Sequence, residues 1–218
     1  MRRAVTALAL VAALAGAVSG PGPEASAAAV DAVLGDVNGS VITLSDVALA
    51  RALGLFGFDP SDAPVGPPDL ERMVDARLVE RETARLEIGG AAAVGEAWQA
   101  VAARAGGVEA LVGWLEAAGV DLDWARQMVE SDMWWRRFID VRFRAFVFVA
   151  DTDVSAALGT VAATPEARER MRQRLIDEVT QRDLSRWLED ARSRAQIRVT
   201  DAVNARLPLP FEAPGPTR

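Results

Sequence analysis

Thr164-Pro165-Glu166 opens the longest uninterrupted helical pattern in the chain, and that pattern sets the scale of whatever the chain folds into. Threonine is a favoured N-cap, proline is tolerated at the first helical position, and an acid in the first turn complements the helix dipole. Neither glycine nor proline recurs before Pro208. Met171, Leu175, Val179, Leu184, Trp187, Leu188 and Ala191 mark an apolar stripe, so the helix is expected to run to about Ala195. At about 1.5 Å per residue it would be roughly 46 Å long. A helix of that length must cross a whole core or reach a partner. Gln196 to Thr200 then alternates as a strand.

A second constraint sits at the other end. Asn38-Gly39 joins Val30–Val37 to Ser40–Leu44, and Asn-Gly between two β-prone runs is a strong hairpin signal because both residues tolerate positive φ. A hairpin alone is marginal, so the strand near residue 198 is expected to complete it. Ala145–Val149 (Ala-Phe-Val-Phe-Val) reads as a further, middle strand. Between these pieces the pattern predicts helices over 46–53, 69–87, 92–105, 108–118 and 121–141. Ser45-Asp46 and Asp69 read as caps, and Gly89-Gly90, Gly106-Gly107 and Gly119 as breaks. Leu70, Met73, Val74 and Leu78 fall on one face. Gly54–Pro68 reads as a loop and a possible lid, and Asp151–Val154 as a turn into one helical turn. The expected fold is mainly α: a bundle of about six helices with a small antiparallel sheet formed by the N-terminal hairpin and the middle and C-terminal strands.

Composition limits the chemistry. Half of the 218 residues are hydrophobic and a quarter charged, a globular balance. There is no Cys, His, Tyr or Lys, and the formal charge is −7. The thiol nucleophile, the imidazole base and the Schiff-base amine are therefore all absent. The acidic balance argues against a nucleic-acid partner. An all-Arg composition also accompanies GC-rich coding sequence, which does not restore the missing groups. Asp121/Asp123 and Asp151/Asp153 are the notable carboxylate pairs, but both lie at helix starts, where acids cap N–H groups. Neither offers opposed glycosidase carboxylates or a full calcium loop. No catalytic residue, cofactor or metal site is expected.

Met1-Arg2-Arg3, the apolar run Ala4–Val18, the break at Gly20-Pro21-Gly22-Pro23 and the small-residue site Ala25-Ser26-Ala27 read together as a secretory signal peptide. Ala17-Val18-Ser19 is a second cleavage candidate. The apolar run is short for a membrane span, and no lipid-bearing Cys is present. The expected organisation is a signal over 1–27, a core over 28–200 (28–149, a linker at 150–164, and helix plus strand at 165–200), and a flexible tail over 201–218. The mature protein is expected to be periplasmic, with no membrane span.

Four stretches carry a likeness. They are Val37–Asp46, Leu70–Leu78, Leu115–Phe148 with its Arg-Phe-x-x-Phe-Val-Phe-Val end, and Arg170–Thr200. In this order they resemble the N-terminal peptide-binding domain of the SurA-type periplasmic chaperones together with the C-terminal helix and strand of that family. The resemblance implies an ATP-independent holdase for unfolded envelope or outer-membrane proteins. Family members usually carry parvulin-type isomerase domains between the third and fourth stretches. Here Ala150–Thr164 leaves no room for one, so the resemblance implies the chaperone core without isomerase activity. A dedicated non-enzymatic adaptor, or a homodimer that swaps the C-terminal helix, is the alternative.

Peptide binding needs an adaptable apolar surface. The candidates are Trp114, Trp124, Met128, Met133, Trp134, Trp135 and Phe138. Adjacent residues on a helix diverge by about 100°, so Trp134 and Trp135 are not expected both to face one core centre. Arg136, Arg137, Arg142 and Arg144 form a basic cluster beside them, either contacting ligands or lying on a solvated face paired with Glu130, Asp132 and Asp140. The plain alternative for every aromatic here is ordinary core.

Overall fold

The computed structural model describes residues 31–61, 63–86, 91–159, 164–205 and 210. The expected signal over 1–27, with both cleavage candidates, and most of the expected tail over 201–218 lie outside the described residues.

The hairpin forms as expected. Strand β1 (Val33–Val37) pairs antiparallel with β2 (Ser40–Thr43). Asn38 and Gly39 both adopt positive φ, 52° and 92°, as the tight turn requires. Strand β3 (Ile197–Val199) closes on the free side of β1, giving the order β2-β1-β3. Asn38 N–H donates to the Gln196 carbonyl at 2.8 Å, and Thr200 N–H donates to the Leu34 carbonyl at 3.0 Å. Gly35 sits in the middle strand because a Cβ there would lie 2.8 Å from the Arg198 carbonyl and 3.4 Å from the Leu70 side chain.

Helix α1 (Leu44–Ala52) is capped two residues earlier than Ser45-Asp46 suggests. Thr43 is the N-cap: its Oγ1 accepts from Asp46 N–H at 3.2 Å, while Asp46 Oδ2 accepts from Thr43 N–H at 3.0 Å. This reciprocal box satisfies two otherwise orphaned donors. Asp69 likewise is not the cap of α2 (Pro67–Leu86) but reaches back from its first turn to accept from Gly66 N–H at 2.9 Å. Helices α3 (Ala91–Arg104) and α4 (Val108–Ala117) follow, then α5 (Leu122–Arg142), capped by Asp121. Asp121 Oδ1 accepts from Trp124 N–H at 2.8 Å. Helix α6 (Asp151–Leu158) turns twice rather than once, so the expected linker is helical over those eight residues. Helix α7 (Pro165–Arg194) has Thr164 as N-cap and Pro165 at its start, as the sequence predicts.

The fold is thus mainly α, with seven α-helices among the described residues and one three-stranded antiparallel sheet. The expected middle strand is absent. Arg144–Phe146 forms a 3-10 turn, and the chain to Ala150 is unpaired. A β-prone composition makes a strand only where packing brings it to a sheet edge, and here Phe146 and Phe148 are left 80% and 88% exposed. At the other end, Asp201–Ala205 is not tail but a 3-10 turn that buries Val203 in the core.

Helix α5 is central and packs on both α2 and α3. Leu70, Met73, Val74 and Leu78 of α2 are all buried. A main cluster joins the sheet to α1–α5. A smaller one gathers Val79, Phe138, Leu184 and Leu188 where α7 lies over α2 and α5. Only this C-terminal half of α7 is anchored deeply. Its first half rests on α6 and the 3-10 turn. No helix among the described residues is long and apolar enough to cross a membrane.

The loop over 54–66 is tied down rather than free-standing. Leu55, Phe56, Phe58 and Val65 are buried. Phe56 adopts φ 52°, costly for a non-glycine residue. Its N–H donates to Asp132 Oδ1 at 2.6 Å, and Asp132 Oδ2 accepts from Arg136 Nε at 2.8 Å. Asp132 is only 5% exposed although it stands in the apolar stripe of α5. Asp132→Ala would leave a buried donor unmet and release the loop. A loss of about 2–3 kcal/mol is expected by urea unfolding, with Asp132→Asn, which keeps an acceptor, losing less than half of that. Thr180 in α7 points the other way. Its hydroxyl is fully buried with no hydrogen-bond partner. Thr180→Val should stabilise the protein by about 1 kcal/mol in the same assay.

Candidate functional site

A crevice of about 520 Å³ lies where α2, α5 and α7 meet. Trp135 and Ile139 of α5, Leu184 and Leu188 of α7, and Phe56 from the anchored loop supply its apolar wall. Phe56 and Trp135 meet edge to face at 6.4 Å, so the strained loop and the central helix brace one another at the crevice wall. Arg72, Glu71, Gln181 and Ser185 line the polar rim. Arg72 donates to the Gly57 carbonyl and stacks 5.2 Å from the Phe58 ring, which holds the rim in place.

One end of the crevice is closed by Asp75 and Arg192. Arg192 Nε donates to Asp75 Oδ1 at 2.7 Å. Burial pushes the Asp75 carboxyl up from its usual 3.8, and the Arg192 guanidinium only partly offsets this. Beyond the pair lies a second, more apolar cavity of about 240 Å³, lined by Pro67, Leu70, Val74, Ile197, Val199 and Val203. Glu71 and Arg192 border both spaces, so the two chambers are neighbours along α2.

Of the sequence candidates, the structure brings one to the crevice: Trp135. Met128 and Phe138 are buried, Met128 in the main cluster and Phe138 at the centre of an aromatic group. The Phe138 ring lies 4.9 Å from Trp187 and 5.7 Å from Phe143. Trp114 and Trp124 pack half-buried against the main core, away from the crevice lining. Met133 and Trp134 are half-buried, and Trp134 Nε1 donates to Glu130 at 3.3 Å. Trp134 and Trp135 do diverge: one bonds along its own helix and the other bridges the two clusters.

The basic cluster divides. Arg136 pairs with Asp132 at 2.8 Å, and Arg144 with Asp140 at 3.2 Å and Asp177 at 2.7 Å. Arg137 and Arg142 are exposed. The carboxylate pairs act on structure: Asp121 caps α5, Asp153 accepts from Ala150 N–H at 3.3 Å, and Asp151 pairs with Arg172.

Sequence reasoning missed Phe56, Asp75, Asp132, Ile139, Ser185 and Arg192 as members of the site. Asp132 carried a readable signal, since it stands three and seven residues after Val129 and Ala125 on the buried stripe. The Asp75–Arg192 pair spans 117 positions and has none.

The chain matches no protein-family model and no curated protein.

The raised Asp75 carboxyl fixes a pH dependence. Between the unfolded value near 3.8 and the higher folded value, the folded chain holds the proton and the unfolded chain does not. Stability contributed by Asp75 is therefore present at acid pH and is lost as pH rises through that window. Measured as the difference in unfolding free energy between the wild type and Asp75→Asn, the wild type's relative stability should decline with pH and then level. Arg192→Leu at pH 7 should cost about 1–2 kcal/mol. That is below the about 3–5 of a fully buried pair because Arg192 is one-third exposed. The double variant should recover most of the loss.

Proposed function

We propose that the protein is an exported, ATP-independent holdase that binds unfolded envelope or outer-membrane proteins, with a SurA-like core and no isomerase activity. The observation that carries this reading is the crevice between α2, α5 and α7, with half-exposed Trp135 and Ile139 over a buried apolar floor of Phe56, Leu184 and Leu188, and a charged rim. Such a surface can hold many apolar segments weakly. The walls come from different helices and a loop, so the contacts are distributed rather than specific to one shape. The lining holds no thiol, lysine amine or imidazole, and its Ser185 has no imidazole base to activate it. The leader-like N-terminus supports an envelope location.

The second reading is a dedicated adaptor. It is favoured by one observation: Phe146 and Phe148 stand exposed between α5 and α6, beside the half of α7 that has little core beneath it. A single, tightly held partner would cover such a pair. A swap of α7 between protomers belongs to the same reading.

The test is suppression of aggregation of an unfolded outer-membrane protein by stoichiometric mature protein. The holdase reading expects clear suppression. It also expects Ile139→Glu, which places a charge in the crevice wall, to weaken suppression at least fivefold while leaving the helical circular-dichroism signal intact. Absence of suppression by the wild type, or equal suppression by the variant, contradicts it. Loss of suppression on Phe146→Ser/Phe148→Ser instead would favour the adaptor surface.

A further inference from the structure

The sheet ends at β3, and no strand among the described residues pairs with its outer edge. Bonds to β1 are made by Gln196 and Thr200 at 2.8 and 3.0 Å, and Arg198 lies opposite Asp36 between them. Successive residues of a strand point their backbone groups to opposite sides. The N–H and C=O groups of Ile197 and Val199 therefore face away from β1, and none has a partner among the described residues. A row of unmet main-chain groups is a template for another strand.

What lies below that edge is specific. Ile197 and Val199 stand opposite Val37 and Gly35, on the face that meets α2. Val199 is nonetheless 59% exposed, because Gly35 offers it no side chain and the 240 Å³ cavity opens beside it. Leu70, Val74 and Val203 form the remainder of that cavity wall. An added strand would place every second side chain over this cavity. On the opposite face Arg198 is exposed and has no ion-pair partner among the described residues.

We infer that the free edge of β3 is a strand-addition site for an extended segment of another polypeptide in which apolar residues flank an acidic one. The unmet donors and acceptors select an extended backbone. The cavity selects the apolar side chains, and Arg198 selects the acid directly opposite it. A second copy of this chain is disfavoured on the same geometry. Antiparallel pairing of β3 with itself sets two Arg198 side chains directly opposite one another, a like-charge pair. The inference deepens the reading of the protein as a polypeptide binder and rests on it. It adds a main-chain mode beside the apolar crevice, with Glu71 and Arg192 bordering both.

The test is fluorescence anisotropy with full mature protein and a short labelled peptide alternating apolar residues with one central Glu. Saturable binding is expected, weakened at least tenfold when Glu is replaced by Lys. Arg198→Glu should reverse that preference. N-methylation of one alternate set of peptide amides should abolish binding, while methylation of the other set leaves it, because only one set faces β3. Val199→Pro removes an outward N–H without touching a bond to β1, and should weaken binding tenfold with the fold intact. Binding indifferent to charge and to the methylated set overturns the inference. So does concentration-dependent dimerisation, seen by sedimentation, that Val199→Pro abolishes. If aggregation suppression persists while no peptide binds, the edge site alone falls. If suppression also fails, the polypeptide-binding reading falls with it.

Discussion

The pairing of β3 with β1 is the constraint on which the rest depends. Gln196 N–H donates to the Asn38 side chain at 3.0 Å across 158 positions, and the ladder continues to Thr200. Closing so long a loop costs entropy, but only about 0.6 kcal/mol for each doubling of its length. A three-residue strand can therefore hold the far end of the chain once packing supports it. With β3 fixed, the end of α7 is fixed, and its C-terminal half must lie over α2 and α5. The crevice follows from that placement. Release of β3 would leave the C-terminal half of α7 held by Leu184, Trp187, Leu188 and the Asp75–Arg192 pair.

A second device braces the opposite wall. The Phe56 backbone is held in an unfavourable region by a buried carboxylate, and its ring meets Trp135. Strain of about 1–3 kcal/mol at one residue is sustained only where the surroundings over-determine it. Here Asp132 supplies the hydrogen bond and α5 supplies the packing. The loop that might have served as a lid is instead part of the wall. This gives the proposed binding surface a braced wall, α5 with its loop, facing Leu184 and Leu188 of α7.

Much of this fold was legible because its signals are local. The Thr164-Pro165 start, the Asn38-Gly39 turn and the alternation at 196–200 each act within a few residues. Each appears in the structure close to where the pattern placed it. The run at 145–149 misled because strand composition says nothing about whether packing brings the run to a sheet edge. The caps of α1 and α2 were misplaced by two or three residues because Thr43 and Asp46, and Gly66 and Asp69, act as reciprocal pairs rather than as single caps. The site was less legible than the fold. Trp135 was readable as an aromatic that could not share its neighbour's environment. Arg192, Asp75 and Phe56 meet only through tertiary packing, and a periodic pattern cannot show which charged residues meet across it.

The chain's lack of cysteine gives the most direct measurement of the central claim, that the crevice between α2, α5 and α7 holds unfolded polypeptide. Ser185→Cys places a single thiol on the crevice rim, and Gln99→Cys places one on the exposed side of α3. Each variant would carry an environment-sensitive fluorophore and be titrated with unfolded outer-membrane protein. The account predicts a saturable blue shift at position 185 and none at position 99. Equal responses at both positions, or a response at neither, would contradict it.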